Sequence, residues 1–134
     1  MTDQPKTYYE QEMDRIIEKH LLPEYQYEQV RQSKAFMEKY YSEKLELEKI
    51  AATAFMSRFH YIRIFQQIYG ITPRQYLRDL RILKAKELLE KGLSVTEVCY
   101  SIGYESLPTF SNTFKCATGY SPKNYQKMNN SNPE

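Results

Sequence analysis

Ser57–Gly70 reads SRFHYIRIFQQIYG, and the pattern of this stretch decides the fold. Tyr61, Ile64, Phe65 and Ile68 recur at i, i+3, i+4 and i+7, one face of an amphipathic helix. Ser57 is placed to cap the start, because its hydroxyl can accept a hydrogen bond from a first-turn N–H. Gly70 is placed to end it in a left-handed conformation. The opposite face carries Arg58, Phe59, Ile62, Arg63 and Gln66. Two apolar side chains beside two arginines are an odd composition for a face left to water. They suit a groove that offers both base edges and phosphates.

Working outward, Leu45 to Ala54 reads as a helix with Leu47, Ile50, Ala51 and Ala54 inward, and Phe55–Met56 as the turn into the opening stretch. On the other side, Thr72 is a cap and Pro73 sits at the first helical position, where its missing N–H is harmless. That helix runs from Pro73 to about Lys91 and ends at Gly92. It carries Leu77, Leu80, Ile82, Ala85, Leu88 and Leu89, together with Arg74, Arg78, Arg81, Lys84 and Lys86. Its arginines are expected to pair with carboxylates, Asp79 and Glu87 being at hand.

Ser94-Val95-Thr96-Glu97 has the form of a capping box. It opens a short helix with Val95, Val98, Cys99 and Ile102 inward, ending at Gly103. Ser106 to about Thr118 follows, with Phe110, Phe114 and Ala117 inward and Pro108 tolerated in the first turn. Ser121-Pro122 starts a last helix through Tyr125. Upstream, Tyr27 to Tyr41 reads as a helix with Val30, Ala35, Phe36 and Tyr40 as buried positions. Tyr9 to Leu22 reads as a shorter one, striped by Met13, Ile16, Ile17 and Leu21 and stopped by Pro23. No segment alternates with period two for long enough to be a strand, so the class is all-α.

The chain contains itself once. Ile50, Ala51 and Phe55 match Val98, Cys99 and Gly103 at an offset of 48. Ser57, Tyr61, Phe65, Gly70, Pro73 and Tyr76 match Ser106, Phe110, Phe114, Gly119, Pro122 and Tyr125 at an offset of 49. The shift falls in the turn between paired helices, where an extra residue does least harm. Each copy is helix, tight turn, helix, then a Ser/Thr-Pro helix start, the form of a helix-turn-helix unit. The helix between the copies is roughly 28 Å long at about 1.5 Å per residue. That is suited to holding two recognition helices about one DNA turn apart, on the order of 34 Å. One chain then does the work of a symmetric dimer, on two unlike, directly ordered half-sites.

Composition narrows the classes. Net charge is only +2, but residues 1–50 hold 8 Lys/Arg and 11 Asp/Glu, a net of −3, leaving +5 for residues 51–134. The basic part begins close to the opening helix, the asymmetry of a chain one end of which meets a polyanion. There is no run of 18 apolar residues and no signal-peptide pattern, which makes the cytoplasm, at the nucleoid, the expected location, with no membrane partner. Cys99 and Cys116 fit neither a zinc site nor a redox motif and read as reduced packing residues. His20 and His60 lack partners for a metal site, so no cofactor is expected. No glycine-rich phosphate loop or nucleophile motif is present, and an enzyme is not expected.

The runs IAATAFMSRFHYIRIFQQIYGITPRQYLRDLRILKAKELL and LSVTEVCYSIGYESLPTFSNTFKCATGYSPKNY resemble the AraC/XylS family of bacterial transcription regulators over about residues 27–127. The resemblance implies a seven-helix, homeodomain-like DNA-binding domain at 27–128, with two helix-turn-helix units and a long linker helix. An N-terminal arm with a short helix at 1–26 and a polar tail at 129–134 flank it. It implies double-stranded DNA as partner, read by helices 57–69 and 106–118, with RNA polymerase a candidate second partner. The chain is similar to small stand-alone members without a ligand-sensing domain. It is expected to act on DNA as a monomer, its N-terminal helix being a candidate dimer or partner contact.

By the same resemblance Phe59, Ile62 and Arg63 occupy base-reading positions in the first unit, and Thr109 and Asn112 the corresponding ones in the second. Arg63 is suited to a bidentate contact with guanine, its alternative being phosphate. Phe59 and Ile62 are suited to thymine methyls, or to burial against a neighbouring helix. Arg58 and Gln66 are expected on phosphate. Leu107, Thr109, Ser111, Asn112 and Lys115 form the outer face of the second unit, where mostly backbone contacts are expected.

Two departures from the family pattern carry expectations of their own. Phe55 stands where the family often has glycine, which predicts a packed ring rather than a left-handed turn. Asn112 stands where a basic residue is common, which predicts that the second unit anchors more than it reads. The competing reading is a protein-interaction module on the same fold with weak or lost DNA binding.

Overall fold

The computed structural model describes residues 7–11 and 21–130. Within them lie α1 (Glu24–Tyr40), α2 (Leu47–Thr53), α3 (Arg58–Tyr69), α4 (Pro73–Glu90), α5 (Val95–Ser101), α6 (Leu107–Thr118) and α7 (Pro122–Asn130), with no strand among the described residues. Residues 8–11 are helical, and Thr7 caps their start, its Oγ1 accepting from the Glu10 N–H at 3.1 Å. Met13, Ile16 and Ile17 of the expected N-terminal stripe lie outside the described residues. Leu21 is 65% exposed.

The repeat is written in matching hydrogen bonds. Ser57 caps α3 by accepting from the His60 N–H, and Ser106 caps α6 by accepting from that of Thr109. The Gly70 N–H donates to the Gln66 carbonyl and that of Gly119 to the Lys115 carbonyl, both at 2.8 Å. Before each recognition helix the turn closes identically: Met56 N–H to Ala51 O and Tyr104 N–H to Cys99 O, both at 3.1 Å. Tyr76 on α4 donates its hydroxyl to Glu38 on α1 at 2.6 Å, and Tyr125 on α7 donates to Glu90 on α4 at 2.7 Å. The unit is therefore four helices long, and α4 is shared. It closes the first unit and opens the second.

Two cores flank that shared helix. The first gathers Val30, Met37, Leu47, Ile50, Ala51, Ala54, Tyr61, Ile64, Phe65 and Leu77. The second gathers Ile82, Ala85, Leu89, Val98, Cys99, Ile102, Phe110 and Phe114. Phe65 and Phe114 hold matching places. Phe65 lies 5.7 Å from the Tyr61 ring and 5.9 Å from Tyr76, and Phe114 lies 5.8 Å from Phe110 and 5.3 Å from Tyr125. Burying such rings is worth roughly 1.5–3 kcal/mol each.

Arg81 ties the halves together. Its Nε donates to the Tyr41 carbonyl at 2.8 Å and its Nη2 to that of Glu43 at 2.9 Å, while the guanidinium lies 5.7 Å from the Tyr104 ring centre. Tyr41 itself packs against both cores. The expectation of a carboxylate partner for Arg81 is thus corrected. A helix's last turn leaves carbonyls without intrahelical donors, and Arg81 meets such groups just beyond α1.

Other expectations also yield. Phe55 has φ 58° and is 78% exposed, so its ring is not packed and the turn is left-handed. For a residue with a Cβ this conformation costs on the order of 1–3 kcal/mol. Ala35 and Ala117 are exposed, while Ser33 and Met37 are buried on α1. On α1 the neighbouring helices sit one position round from the face that the apolar spacing marks. Cys116 is exposed rather than a packing residue. The reciprocal capping box lies at Thr72–Gln75, whereas at Ser94 only the Ser94 side chain accepts, from the Glu97 N–H. The helices at either end also run beyond the expected bounds, α1 starting at Glu24 and α7 reaching Asn130.

Candidate nucleic-acid interface

α3 presents its outer face because its inner face is filled: Tyr61, Ile64 and Phe65 are buried. Phe59, Ile62, Arg63 and Gln66, with Gln67 beside them, line one shallow concavity. The structure brings together four of the five side chains expected in this unit and adds Gln67, which lies four residues after Arg63 on the same helical face. Phe59 is 78% exposed, so burial against a neighbouring helix is excluded for it. Ile62 is half-buried, its inner side packed on the first core. Arg63 is exposed, with Nη2 3.4 Å from His60 Nδ1, a long contact that leaves most of the guanidinium fork open.

Arg58 is placed differently. Its Nη1 donates to Glu48 Oε1 at 3.0 Å, and its guanidinium lies 5.6 Å from the Phe59 ring centre. The Glu48 carboxyl is held below its ordinary value, first by its own backbone N–H in the first turn of α2 and then by Arg58. The pair links the first turns of the two helices of the unit. An exposed pair of this kind contributes little to stability, and phosphate can compete for the arginine.

The second unit gathers its expected residues less closely. Leu107 is half-buried on the second core. Thr109 is exposed, but its Oγ1 already accepts from the Ser106 hydroxyl at 2.9 Å. Ser111 is half-buried, while Asn112 and Lys115 are exposed. Asn112 opens sideways into a groove shared with Arg78 and Asp79 of α4 and with Thr113, Cys116 and Ala117. Arg78, whose Nε is 3.6 Å from Asp79 Oδ1, brings a cation from α4 into the same groove. No local pattern announces it, since its neighbours come from another helix.

The two outer faces thus differ in kind. The first is aromatic, aliphatic and cationic, and the second is small and polar with a single lysine. Each face begins at a helix N-terminus, where Ser57 or Ser106 caps one first-turn N–H. Among the described residues no group of three or more His, Cys, Asp or Glu is placed to hold a metal ion. No described helix is long and apolar enough to cross a membrane.

Comparison with known proteins fits this duplicated geometry. A family profile described as a helix-turn-helix domain matches residues 50–128. The chain belongs to the AraC family. It is 40% identical over 91 residues to the uncharacterized HTH-type transcriptional regulator YdeC of Bacillus subtilis, covering 67% of this chain and 31% of that protein. It is 35% identical over 94 residues to the MmsAB operon regulatory protein of Pseudomonas aeruginosa, covering 69% and 31%. The chain therefore spans about a third of these AraC-family relatives. Among solved structures it resembles the DNA-binding domain of AdpA, the global transcriptional factor, in complex with a target DNA. That match has a TM-score of 0.73 and 31% identity, over 76% of this chain and 93% of that one.

Proposed function

We propose that residues 27–128 are a sequence-specific DNA-binding unit that regulates transcription, laying α3 and α6 in adjacent major-groove segments. The reading is carried by one observation: two helix-turn-helix units with the same hydrogen-bond frame share α4, and each leaves a recognition helix with an open outer face. The AdpA domain's complex with DNA, on the same fold, supports it. Arg63 takes the base-reading role in the first unit, with Phe59 and Ile62 against thymine methyls. Arg58, Gln66, Leu107, Thr109, Ser111, Asn112 and Lys115 serve mainly to position the chain on the backbone. Because the outer faces are unlike and both units come from one chain, the site is asymmetric.

Selection of bound duplexes from a random pool, followed by footprinting, tests the reading. The expected result is one chain on two unlike, directly ordered half-sites, with log affinity falling against log salt at about −0.9 per phosphate contacted. A palindromic site filled by two chains overturns the monomer reading. Binding to no duplex, or binding indifferent to salt, favours the interaction module.

A further inference from the structure

Among the described residues, Phe55 is the only non-glycine residue with left-handed backbone. Its ring is 78% exposed, so no packing within the chain rewards the strained turn. The turn does not require it either, since the matched turn has Gly103 with the same closing hydrogen bond. Strain retained beside a binding face, with the side chain outside the core, points to contact with something outside the chain.

The position identifies that contact. Phe55 lies two residues before Ser57, the cap of α3. In helix-turn-helix docking the N-terminal residues of the second helix enter the major groove and the first helix crosses the backbone. The turn between them therefore lies over the sugar–phosphate wall. Phe59, four residues on, is likewise 78% exposed, and the Arg58 guanidinium, between the two in sequence, lies 5.6 Å from its ring centre. Exposed apolar rings beside a cation suit the edge of a duplex, where deoxyribose is apolar and phosphate is anionic.

We propose that Phe55 is a DNA-contact residue whose ring packs against deoxyribose of the strand bordering the groove that α3 enters. The inference rests on the DNA-binding reading above. Sugar carries no sequence, so this contact strengthens all duplexes alike and displaces no counterion.

Phe55→Gly in the full chain tests it, with the duplex recovered by selection and a scrambled duplex as probes. Glycine relieves the strained backbone, so the melting temperature rises, by about 4 °C. Affinity falls about five-fold on both duplexes, the loss expected when half a phenyl ring is no longer buried. The salt slope is unchanged. Phe55→Asn, which also tolerates the left-handed turn, loses affinity like glycine, and Phe55→Tyr keeps it. Undiminished affinity in Phe55→Gly overturns the contact while leaving the DNA reading intact. Loss of reporter transcription at undiminished affinity also overturns it and places Phe55 on a protein partner. Failure of the wild-type chain to bind any duplex overturns both readings.

Discussion

The two helix-turn-helix units share caps, closing turns and tyrosine–glutamate ties, yet they differ at three matched places. Phe55 faces Gly103, Tyr61 faces Phe110, and Arg63 faces Asn112. The first unit keeps a strained exposed turn, a polar chain inside its core and an exposed arginine on its outer face. The second has a glycine turn pressed against the rest of the molecule, an all-apolar core centre and an exposed asparagine in the matching place. The frame thus depends on a few capping and turn hydrogen bonds, and the contents of each unit are free to follow its task.

The sharpest break in the symmetry is at the turns. A Cβ on Gly103 meets Arg81 Nη2, the Ser42 carbonyl and the Tyr41 carbonyl, each at 3.0 Å, on a backbone with φ +96°. Gly103→Ala is expected to destabilise the fold by about 3 kcal/mol, strain and crowding together, read by urea unfolding. Equal tolerance at Gly103 and Phe55 would erase the distinction between the turns.

Arg81 is the next largest expected effect. Arg81→Ala removes the donors to the Tyr41 and Glu43 carbonyls and the cation from the Tyr104 ring, for about 2 kcal/mol. The variant is expected to unfold in two calorimetric steps, one per core, where the wild type unfolds in one. A single step in both proteins would show that α4 alone couples the units.

The readers come next. Arg63→Ala is expected to lose about 1.5 kcal/mol on the selected duplex and much less on a scrambled one, while Asn112→Ala changes both slightly and alike. Equal loss on both duplexes for Arg63→Ala reassigns that arginine to phosphate.

The smallest effect is in the cores. The Tyr61 hydroxyl donates to Ser33 Oγ at 2.7 Å, and Ser33 donates to the Val30 carbonyl at 2.6 Å, a chain that Phe110 does not have. Burial pushes the Tyr61 hydroxyl up to about 12 from 10. A raised folded pKa means that the stabilisation is whole below pH 10 and is lost as pH climbs from 10 through 12. Tyr61→Phe is expected to lose up to about 1 kcal/mol at pH 7. It is also expected to show a shallower decline in unfolding midpoint between pH 7 and pH 11. An unchanged decline would place the alkaline sensitivity in the half-buried tyrosines Tyr69, Tyr76, Tyr104 and Tyr125, whose hydroxyls burial also pushes up.

Much of this was legible in the sequence because helix faces, caps and glycine stops are local. Ser57, Gly70, Thr72-Pro73 and the offset between copies follow from spacing alone, and the outer face of α3 follows from its inner one. What was not legible depends on neighbours distant in the chain. Arg81 finds carbonyls about 40 residues away, Arg78 borders a groove completed by α6, and the Glu38 and Glu90 partners of the tyrosines come from preceding helices. Phe55 is a different case: the repeat sets it opposite Gly103, but whether its ring packs depends on neighbours that no spacing shows, and the structure leaves it exposed on left-handed backbone.

The sharing of α4 has a consequence for how such a chain can change length. Leu77 is anchored in one core and Ile82 in the other, five residues on and about 140° round the helix axis. One residue inserted between them swings the second unit by about 100° and shifts it by about 1.5 Å, which takes the recognition helices out of step on a duplex. The step between a turn's closing hydrogen bond and the next helix cap is looser: Glu105 stands between Tyr104 and Ser106, whereas Met56 is followed directly by Ser57. An extra residue is therefore tolerated at that step, while the residue count between Leu77 and Ile82 fixes the phase of one unit against the other.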